Sequence, residues 1–171
     1  MRSTKGFSLL ELLIVVAIIL IIAAIAIPNL LESKIAANEA SAVGSLRAVT
    51  TAEITYYNAY PTVGYASLIA NLGGTLPCTA SSAGACLIDE ALSAATPGSA
   101  GRNGYYFQAT GITTSGLNAN YVIGAAPMQM HQTGNHDYCS MADGVLRSQM
   151  GNPGDVPVTQ LAPCFAFPVQ Q

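Results

Sequence analysis

An unbroken apolar run from Leu12 to Ile27 constrains this chain most, because it contains no charged residue, no Gly and no Pro. With its flanks it extends over residues 7–31, which is 25 residues. At about 1.5 Å per residue, a helix of that length crosses a hydrocarbon layer of roughly 30 Å. A cleaved secretory signal would instead have an apolar core of roughly 7–15 residues that ends at small residues. This run is too long for such a signal, so we predict a transmembrane helix.

Glu11 is the acidic residue within this predicted membrane helix. A carboxylate inside a membrane helix costs about 2.5–3.5 kcal/mol on insertion scales, so we expect it to have a partner. A cut between Gly6 and Phe7 would create an α-amino group on Phe7, about one helical turn from Glu11. The partner of Glu11 could be this amino group in the same chain or the one of a neighbouring copy. An apolar interior would strengthen that charge pair. The alternative is that Glu11 only reaches the lipid headgroups.

The N-terminal order Lys5, Gly6, Phe7 and Glu11, followed by the aliphatic run and Pro28, resembles the class III leader and N-terminal helix of type IV pilins and pilin-like proteins. The resemblance covers about a fifth of the chain. It implies that a leader peptidase cuts after Gly6 and methylates the amino group of Phe7. It also implies that Glu11 pairs with the amino terminus of the adjacent subunit in a helical filament.

The distribution of charge predicts which side of the membrane the rest of the chain occupies. Arg2 and Lys5 precede the apolar run, and basic residues before a span stay on the cytoplasmic side, so the remainder faces outward. Loss of the leader removes two of the six basic residues and leaves four against nine acidic ones, a side-chain balance of −5. Beyond Arg47 only Arg102 and Arg147 are basic, which disfavours nucleic-acid binding because phosphate contacts need several cations.

Four cysteines lie in the outward part, where disulfides persist: Cys78, Cys86, Cys139 and Cys164. Four cysteines allow three pairings. We favour the sequence-local one, Cys78 with Cys86 and Cys139 with Cys164. Zinc is the competing interpretation, but none of the spacings is the short pair of a zinc knuckle.

The helical pattern continues beyond the predicted span. Pro28 removes a backbone donor and is expected to kink the helix near the membrane surface. The segment 32–58 is rich in Ala and places apolar residues at helical spacing on one face, which predicts an amphipathic helix under the outer domain. That stripe consists of Ile35, Ala42, Leu46, Val49 and Tyr57. Glu53 falls on the same stripe, and we expect it to lie at an edge or to pair with a cation such as Arg102.

Gly, Pro, Ser and Thr dominate from Tyr60 to Gly104, which predicts loops with short helical turns at 67–72 and 89–94. Four strands are predicted further on, from alternation and turn residues, at 105–109, 120–126, 137–141 and 145–148. Asp143-Gly144 between the last two favours a type I′ hairpin turn, in which both central residues have positive φ.

Together these segments predict an α+β fold in which the long N-terminal helix packs on a four-stranded antiparallel sheet. The last segment, 151–171, contains four prolines and is expected to run extended over the surface. Cys164 would tether it to the sheet.

Motifs for catalysis are weak in the outward part, which contains no G-x-S-x-G, G-x-G-x-x-G or Walker-type loop. His131, His136, Asp137 and Cys139 form the one cluster with candidate metal ligands, and we interpret them as surface polar residues and a disulfide. The oxygen ligands Asp143, Asn152 and Asp155 are too few for calcium, which takes roughly six to eight. We therefore expect no metal, no cofactor and no enzymatic activity.

The predicted organisation is a cleaved leader at 1–6, a membrane or filament-core helix at 7–31, an amphipathic helix at 32–58 and a globular domain at 59–171. The predicted function is that of a structural subunit, a major pilin, which forms a helical homopolymer after leader cleavage. Its expected partners are other copies, the leader peptidase and methyltransferase, and an inner-membrane assembly platform. It would be a single-pass inner-membrane protein before assembly and extracellular afterwards. The alternatives are a type II secretion pseudopilin and a minor tip pilin that acts as a binding module.

Overall fold

A computed structural model describes residues 7–170 of the chain. It contains a long helix α1 (Leu9–Ala59), two short helices α2 (Ile69–Leu72) and α3 (Glu90–Ser93), four strands and a last helix α4 (Leu161–Ala166). The strands are β1 (Tyr105–Thr114), β2 (Leu117–Pro127), β3 (His136–Met141) and β4 (Arg147–Met150). They form an antiparallel sheet in the order β1-β2-β3-β4, so each strand pairs with its neighbour in sequence. The predicted α+β architecture is confirmed.

Two compact units divide the chain, and the boundary between Lys34 and Ile35 lies within α1. In the first unit the described residues form the apolar N-terminal part of α1. By length and composition, that part is long and apolar enough to cross a membrane. Its most apolar stretch is not buried within the structure. The exposed fractions of Phe7 and Leu30 are 78% and 71%.

The second unit is built around the C-terminal part of α1 and one face of the sheet. Ala42, Leu46 and Val49 of the helix join a buried cluster with aromatic and aliphatic residues of the strands. The strand residues in this cluster are Tyr105, Phe107, Ala109, Tyr121, Ile123, Ala125 and Tyr138. Burial of this apolar area is the main term that fixes the helix to the sheet.

The predicted helix stripe is wrong at its C-terminal end. Tyr56 is the buried residue, with an exposed fraction of 1%, whereas Tyr57 is 37% exposed and packs against Tyr65 at a ring-centroid distance of 4.8 Å. Tyr56 lies three positions after Glu53, and the stripe advances by three or four positions per turn. The spacing from Val49 through Glu53 therefore leads to Tyr56 as readily as to Tyr57.

Glu53 does not lie at an edge and does not pair with Arg102, so both expectations are wrong. Its side chain has no exposed surface, and its Oε2 accepts a hydrogen bond of 2.9 Å from the backbone N–H of Ala66. Arg102 instead forms a salt bridge of 2.5 Å with Asp89 at the start of α3. The segment that follows α1 thus folds back on the helix and supplies a donor to one oxygen of this carboxyl group, while its Oε1 has no hydrogen-bond partner among residues 7–170.

The connection between β3 and β4 also differs from the prediction. It spans residues 142–146, and only Gly144, with φ of 68°, has positive φ, so it is not a two-residue type I′ turn. Asp143 uses its carboxylate to accept a hydrogen bond of 2.9 Å from the backbone N–H of Val145. The two-residue turn with positive φ at both positions occurs between β1 and β2, at Ser115 and Gly116.

The second face of the sheet is covered by the chain after β4, residues 151–170, which we call the C-terminal segment. Val122, Cys139 and Met141 pack there against Cys164 and Phe167. Gly124 of β2 lies so close to the backbone of Pro157 and Val158 that a Cβ atom at this position would overlap it.

The prolines of the C-terminal segment predict an extended chain, but residues 161–166 form α4, so that prediction is wrong for this part. Pro163 lies in the first turn of this helix, where a missing N–H group breaks no intrahelical bond.

Candidate functional site

The apolar N-terminal part of α1 is the candidate site, because its large apolar side chains are exposed along its whole described length. From Leu9 to Leu31 each large apolar residue is at least 44% exposed. Soluble proteins rarely leave a contiguous apolar surface of this size uncovered. An isolated helix of this composition satisfies its own backbone hydrogen bonds, so it can lie among lipid chains or among other apolar helices.

Glu11 lies in the first turn of α1, and its partner in the described chain is local. The backbone N–H of Ser8 donates to Oε2 across 3.4 Å, and the backbone N–H of Leu12 donates to the carbonyl oxygen of Ser8 across 3.2 Å. A Glu three residues after an N-terminal Ser is the acidic half of a capping box, and a carboxylate there also interacts favourably with the helix dipole. This contact was not among the features predicted from the sequence, although the Ser-x-x-Glu spacing indicates it.

The Ser8 contact leaves much of the hydrogen-bonding capacity of Glu11 unused. An N···O distance of 3.4 Å is longer than a normal hydrogen bond, and an ionised carboxylate has about four acceptor sites. The site can therefore accept a stronger donor, such as an ammonium group. Gly6 and the leader lie outside the described residues. Phe7 is the first described residue and is exposed.

Pro28 lies inside α1, and the helix continues on both sides of it. One turn later the hydroxyl of Ser33 donates to the carbonyl oxygen of Asn29 across 2.8 Å. The expected kink at Pro28 stays a prediction.

The candidate metal ligands do not converge. Nδ1 of His131 is 3.0 Å from Oδ1 of Asn135, and Nδ1 of His136 is 3.1 Å from Oε1 of Glu39. Across residues 7–170, no group of three or more His, Cys, Asp or Glu side chains is arranged to hold a metal ion.

The three candidate calcium ligands are divided between two places. Asp143 forms a salt bridge of 2.7 Å with Arg147, whose guanidinium group holds the pKa of that carboxyl below its usual value. Asp155 accepts hydrogen bonds from the backbone and side chain of Asn152.

The cysteines form two disulfides in the structure, Cys78 with Cys86 and Cys139 with Cys164. The first closes a loop of the connecting region between α2 and α3. The second joins β3 to α4 and lies in the apolar cluster that the C-terminal segment forms on the outer face of the sheet.

Comparison with known proteins gives matches over part of the chain. The family model described as the prokaryotic N-terminal methylation motif matches residues 1–27. The type IV wide pilus major component PilA4 of Thermus thermophilus is 62% identical over 39 residues, which is 23% of this chain and 30% of the relative. The type IV major pilin protein PilA of Myxococcus xanthus is 44% identical over 54 residues, which is 32% of this chain and 24% of the relative.

These matches thus span less than a third of the length of either relative. No solved structure matches the chain. The α+β arrangement of a long N-terminal helix on a four-stranded antiparallel sheet is consistent with the type IV pilin fold. The chain therefore carries the N-terminal methylation motif and is identified, by that motif, by its relatives and by its fold, as similar to type IV pilins.

Proposed function

We propose that this chain is the structural subunit, a major pilin, of an extracellular type IV pilus filament. A leader peptidase removes residues 1–6 and methylates Phe7, and an inner-membrane assembly platform then moves the subunit from the membrane into the filament. Residues 7–31 form the filament core, and residues 32–58 continue as the helix that carries the globular domain, 59–171. The observation that carries this proposal is the exposed apolar part of α1, most of which lies within the methylation motif at residues 1–27.

Exchange of lipid for neighbouring subunits is the central step of this assembly. Lipid chains are as apolar as Leu and Ile side chains, so transfer between the two surroundings gains little hydrophobic free energy. Close packing among the aliphatic side chains and the pairing of polar groups must then drive association. Copies that contact head to tail without closing a ring form an open helical fibre.

Glu11 supplies the polar group in this proposal. Its contact with Ser8 is long, so its carboxylate can also accept a hydrogen bond from the charged amino group of Phe7 of a neighbouring copy. In an apolar interior that attraction is much stronger than in water. A subunit that lacks its neighbour would leave the carboxylate unpaired, which penalises insertion at a wrong axial position.

Electron microscopy of surface material sheared from cells that express the chain tests the proposal. Wild-type cells should give long fibres composed mainly of this protein. Glu11→Ala should be processed normally but should lower filament yield at least about tenfold, because one lost charge pair per subunit corresponds to more than about 1.4 kcal/mol. Glu32→Ala is the matched control, since Glu32 is an exposed acid of the same helix beyond the apolar run, and it should retain filaments.

Two results would contradict the proposal. Normal filament yield from Glu11→Ala would show that the carboxylate plays no part in assembly. Fibres that contain the chain only in trace amounts, or a chain that stays in the inner membrane, would instead indicate a minor tip pilin or a secretion pseudopilin.

A further inference from the structure

Arg47 of α1 is a cation that the proposed assembly does not use. Two of the four Lys and Arg residues within 7–170, Arg102 and Arg147, form salt bridges with aspartates. The guanidinium group of Arg47, in contrast, forms no salt bridge with a carboxylate of the described residues. A guanidinium group keeps its charge at physiological pH and carries five N–H donors, so Arg47 has capacity for an anion.

Beside this cation, a cavity of about 450 Å³ lies between α1 and the connection of β3 to β4, and we call it the Arg47 cavity. Leu46 and Leu146 give it apolar walls. Thr50 and Ser140 line it with hydroxyl-bearing side chains, and none of its described lining residues is acidic. Clefts of roughly 300–1,000 Å³ with apolar walls and a few polar groups are the usual form of a small-molecule site.

Ser140 in β3 is an independent sign of a ligand at this cavity. It lies on the same side of the strand as Tyr138, which packs in the buried cluster shared with α1. Its exposed fraction is 2%, and its Oγ has no hydrogen-bond partner within residues 7–170. Most buried polar side chains have a partner, so this hydroxyl calls for an acceptor. Serine has three staggered rotamers, and a change of rotamer can turn the hydroxyl to donate into the cavity.

The charge and the walls of the Arg47 cavity select the class of ligand. A guanidinium group binds carboxylates and phosphates through two parallel hydrogen bonds. A phosphate group carries about −1.5 to −2 charges at pH 7, whereas a carboxylate carries one and matches the single cation of the cavity. The apolar walls favour a ligand whose remaining atoms are also apolar, because they displace water at no polar cost.

We propose that the Arg47 cavity binds a carboxylate on a short aliphatic chain. The guanidinium group of Arg47 holds the carboxylate, and the hydroxyl of Ser140 donates to one of its oxygens. The aliphatic chain packs on Leu46 and Leu146. A free short-chain carboxylic acid and a glutamate side chain of a second copy share this chemistry. The site belongs to the second unit alone and does not rest on the proposed function.

Methyl NMR of the full chain in detergent micelles, labelled at Leu and Thr and titrated with butyrate at pH 7 and constant ionic strength, tests the proposal. The methyl groups of Leu46, Leu146 and Thr50 should shift saturably, with half-saturation on the order of 1 mM for so small a ligand. Leu92, which is buried but does not line the cavity, should not shift.

Two further probes test the class of ligand. Butyramide has the shape of butyrate without its charge, and it should bind at least about tenfold more weakly because it loses the charge-assisted pair. Inorganic phosphate should also bind at least about tenfold more weakly, because it has no aliphatic chain and the cavity offers one cation to its larger charge.

Arg47→Gln removes the cation at an exposed position of the helix. It should weaken butyrate binding at least about tenfold while the methyl signal of Leu92 shows that the fold is kept. Lys34→Gln is the matched control, because Lys34 is an exposed cation of the same helix that does not line the cavity. This control should bind butyrate as the wild type does.

Ser140→Ala distinguishes a hydroxyl that binds a ligand from one that only packs. It should weaken butyrate binding about three- to tenfold through the lost hydrogen bond. It should not lower the unfolding temperature without butyrate, because it removes a buried hydroxyl that has no partner within the described residues. A purely structural role would give the opposite pair of results and would remove Ser140 from the site.

Dilution of the chain without butyrate distinguishes the two sources of the carboxylate. Shifts of the Leu46 and Leu146 methyl groups that depend on protein concentration, and that Arg47→Gln abolishes, mean that a glutamate of a second copy fills the cavity. Spectra that do not change on dilution, together with saturable shifts on addition of butyrate, mean that the ligand is a free acid. Either result supports a carboxylate at Arg47.

Three results would overturn the proposal. They are the absence of saturable shifts when butyrate is added to the dilute chain, equal butyrate affinity in wild type and Arg47→Gln, and tighter binding of phosphate than of butyrate. None of these measurements depends on filament formation, so their failure would leave the proposed function untouched.

Discussion

Glu53 of α1 accepts a hydrogen bond of 2.9 Å from the backbone N–H of Ala66, and neither residue has exposed surface. The bond joins the last two turns of α1 to the chain that follows the helix, beside a cluster of apolar and aromatic side chains. Burial raises the pKa of Glu53 from 4.5 to about 7, and the hydrogen bond from Ala66 lowers it only in part. This carboxyl is therefore protonated in acid and costly to ionise above neutrality.

Glu53→Gln should stabilise the outer domain at alkaline pH. The folded chain binds the Glu53 proton more tightly than the unfolded chain, so wild-type stability falls as the pH rises from about 4.5 to about 7. The amide variant has no such proton and should exceed the wild-type free energy of unfolding by on the order of 2 kcal/mol at pH 8, and by little at pH 4.5. Unfolding followed by near-ultraviolet circular dichroism at both pH values measures this.

The exposed Glu90→Gln serves as the control and should change the free energy of unfolding by less than about 0.5 kcal/mol at either pH. Equal stability of wild type and Glu53→Gln at pH 8 would contradict this prediction, because it would show that ionisation of the buried carboxyl costs no stability.

The two disulfides should contribute unequally to stability. Their sequence separations are 25 for Cys139–Cys164 and 8 for Cys78–Cys86. Loop-closure entropy predicts a loss of about 3.5 kcal/mol when both partners of the longer link become Ser, and about 2.5 kcal/mol for the shorter link. Thermal unfolding of the two double variants gives the order. Mass spectrometry of alkylated extracellular protein should first show both links, and free thiols at Cys139 and Cys164 would contradict the pairing.

The salt bridge between Asp143 and Arg147 should matter more than the one between Asp89 and Arg102. The Arg147 side chain is only 7% exposed, whereas the Arg102 side chain is 32% exposed. Asp143→Asn leaves a buried guanidinium group short of its counter-ion and should cost about 2–3 kcal/mol. Asp89→Asn acts on an exposed pair and should cost less than about 1 kcal/mol through that pair. Similar losses in denaturant unfolding would refute the difference.

Cleavage after Gly6 is a prediction from the methylation motif, and Gly6 lies outside the described residues. Mass spectrometry of assembled protein should find an amino terminus at methylated Phe7. Gly6→Leu should block cleavage, because a bulky residue then precedes the peptide bond that is cleaved. Thr4→Ala should be cleaved normally. An assembled protein that begins with Met1 would contradict both the cleavage site and the proposed charge pair at Glu11.

The features predicted correctly from the sequence are those with long or strong local patterns. The apolar run after Glu11 indicates a membrane-compatible helix, and alternation with turn residues indicates the four strands. The two short helices between Tyr60 and Gly104 were also predicted close to their observed places. In each case the spacing of a few neighbouring residues carries the information.

The errors arise where tertiary contacts decide between local alternatives. Tyr56 and Tyr57 both fit the helical spacing, and only packing in the outer domain selects Tyr56. Glu53 needed a donor from a loop whose backbone position no periodicity describes. The connection between β3 and β4 spans residues 142–146, and within it Asp143 accepts from the backbone N–H of Val145 and pairs with Arg147.

Gly124, in the middle of β2, meets the backbone of Pro157 and Val158 directly. Because those atoms belong to the main chain, a side chain of any size, even the methyl group of alanine, could be accommodated only by lifting the C-terminal segment. That movement would expose the apolar cluster around Val122 and Met141 to water, even though the disulfide between Cys139 and Cys164 stays intact. Closure of this side of the domain thus depends on the absence of a single methyl group as well as on a covalent bond.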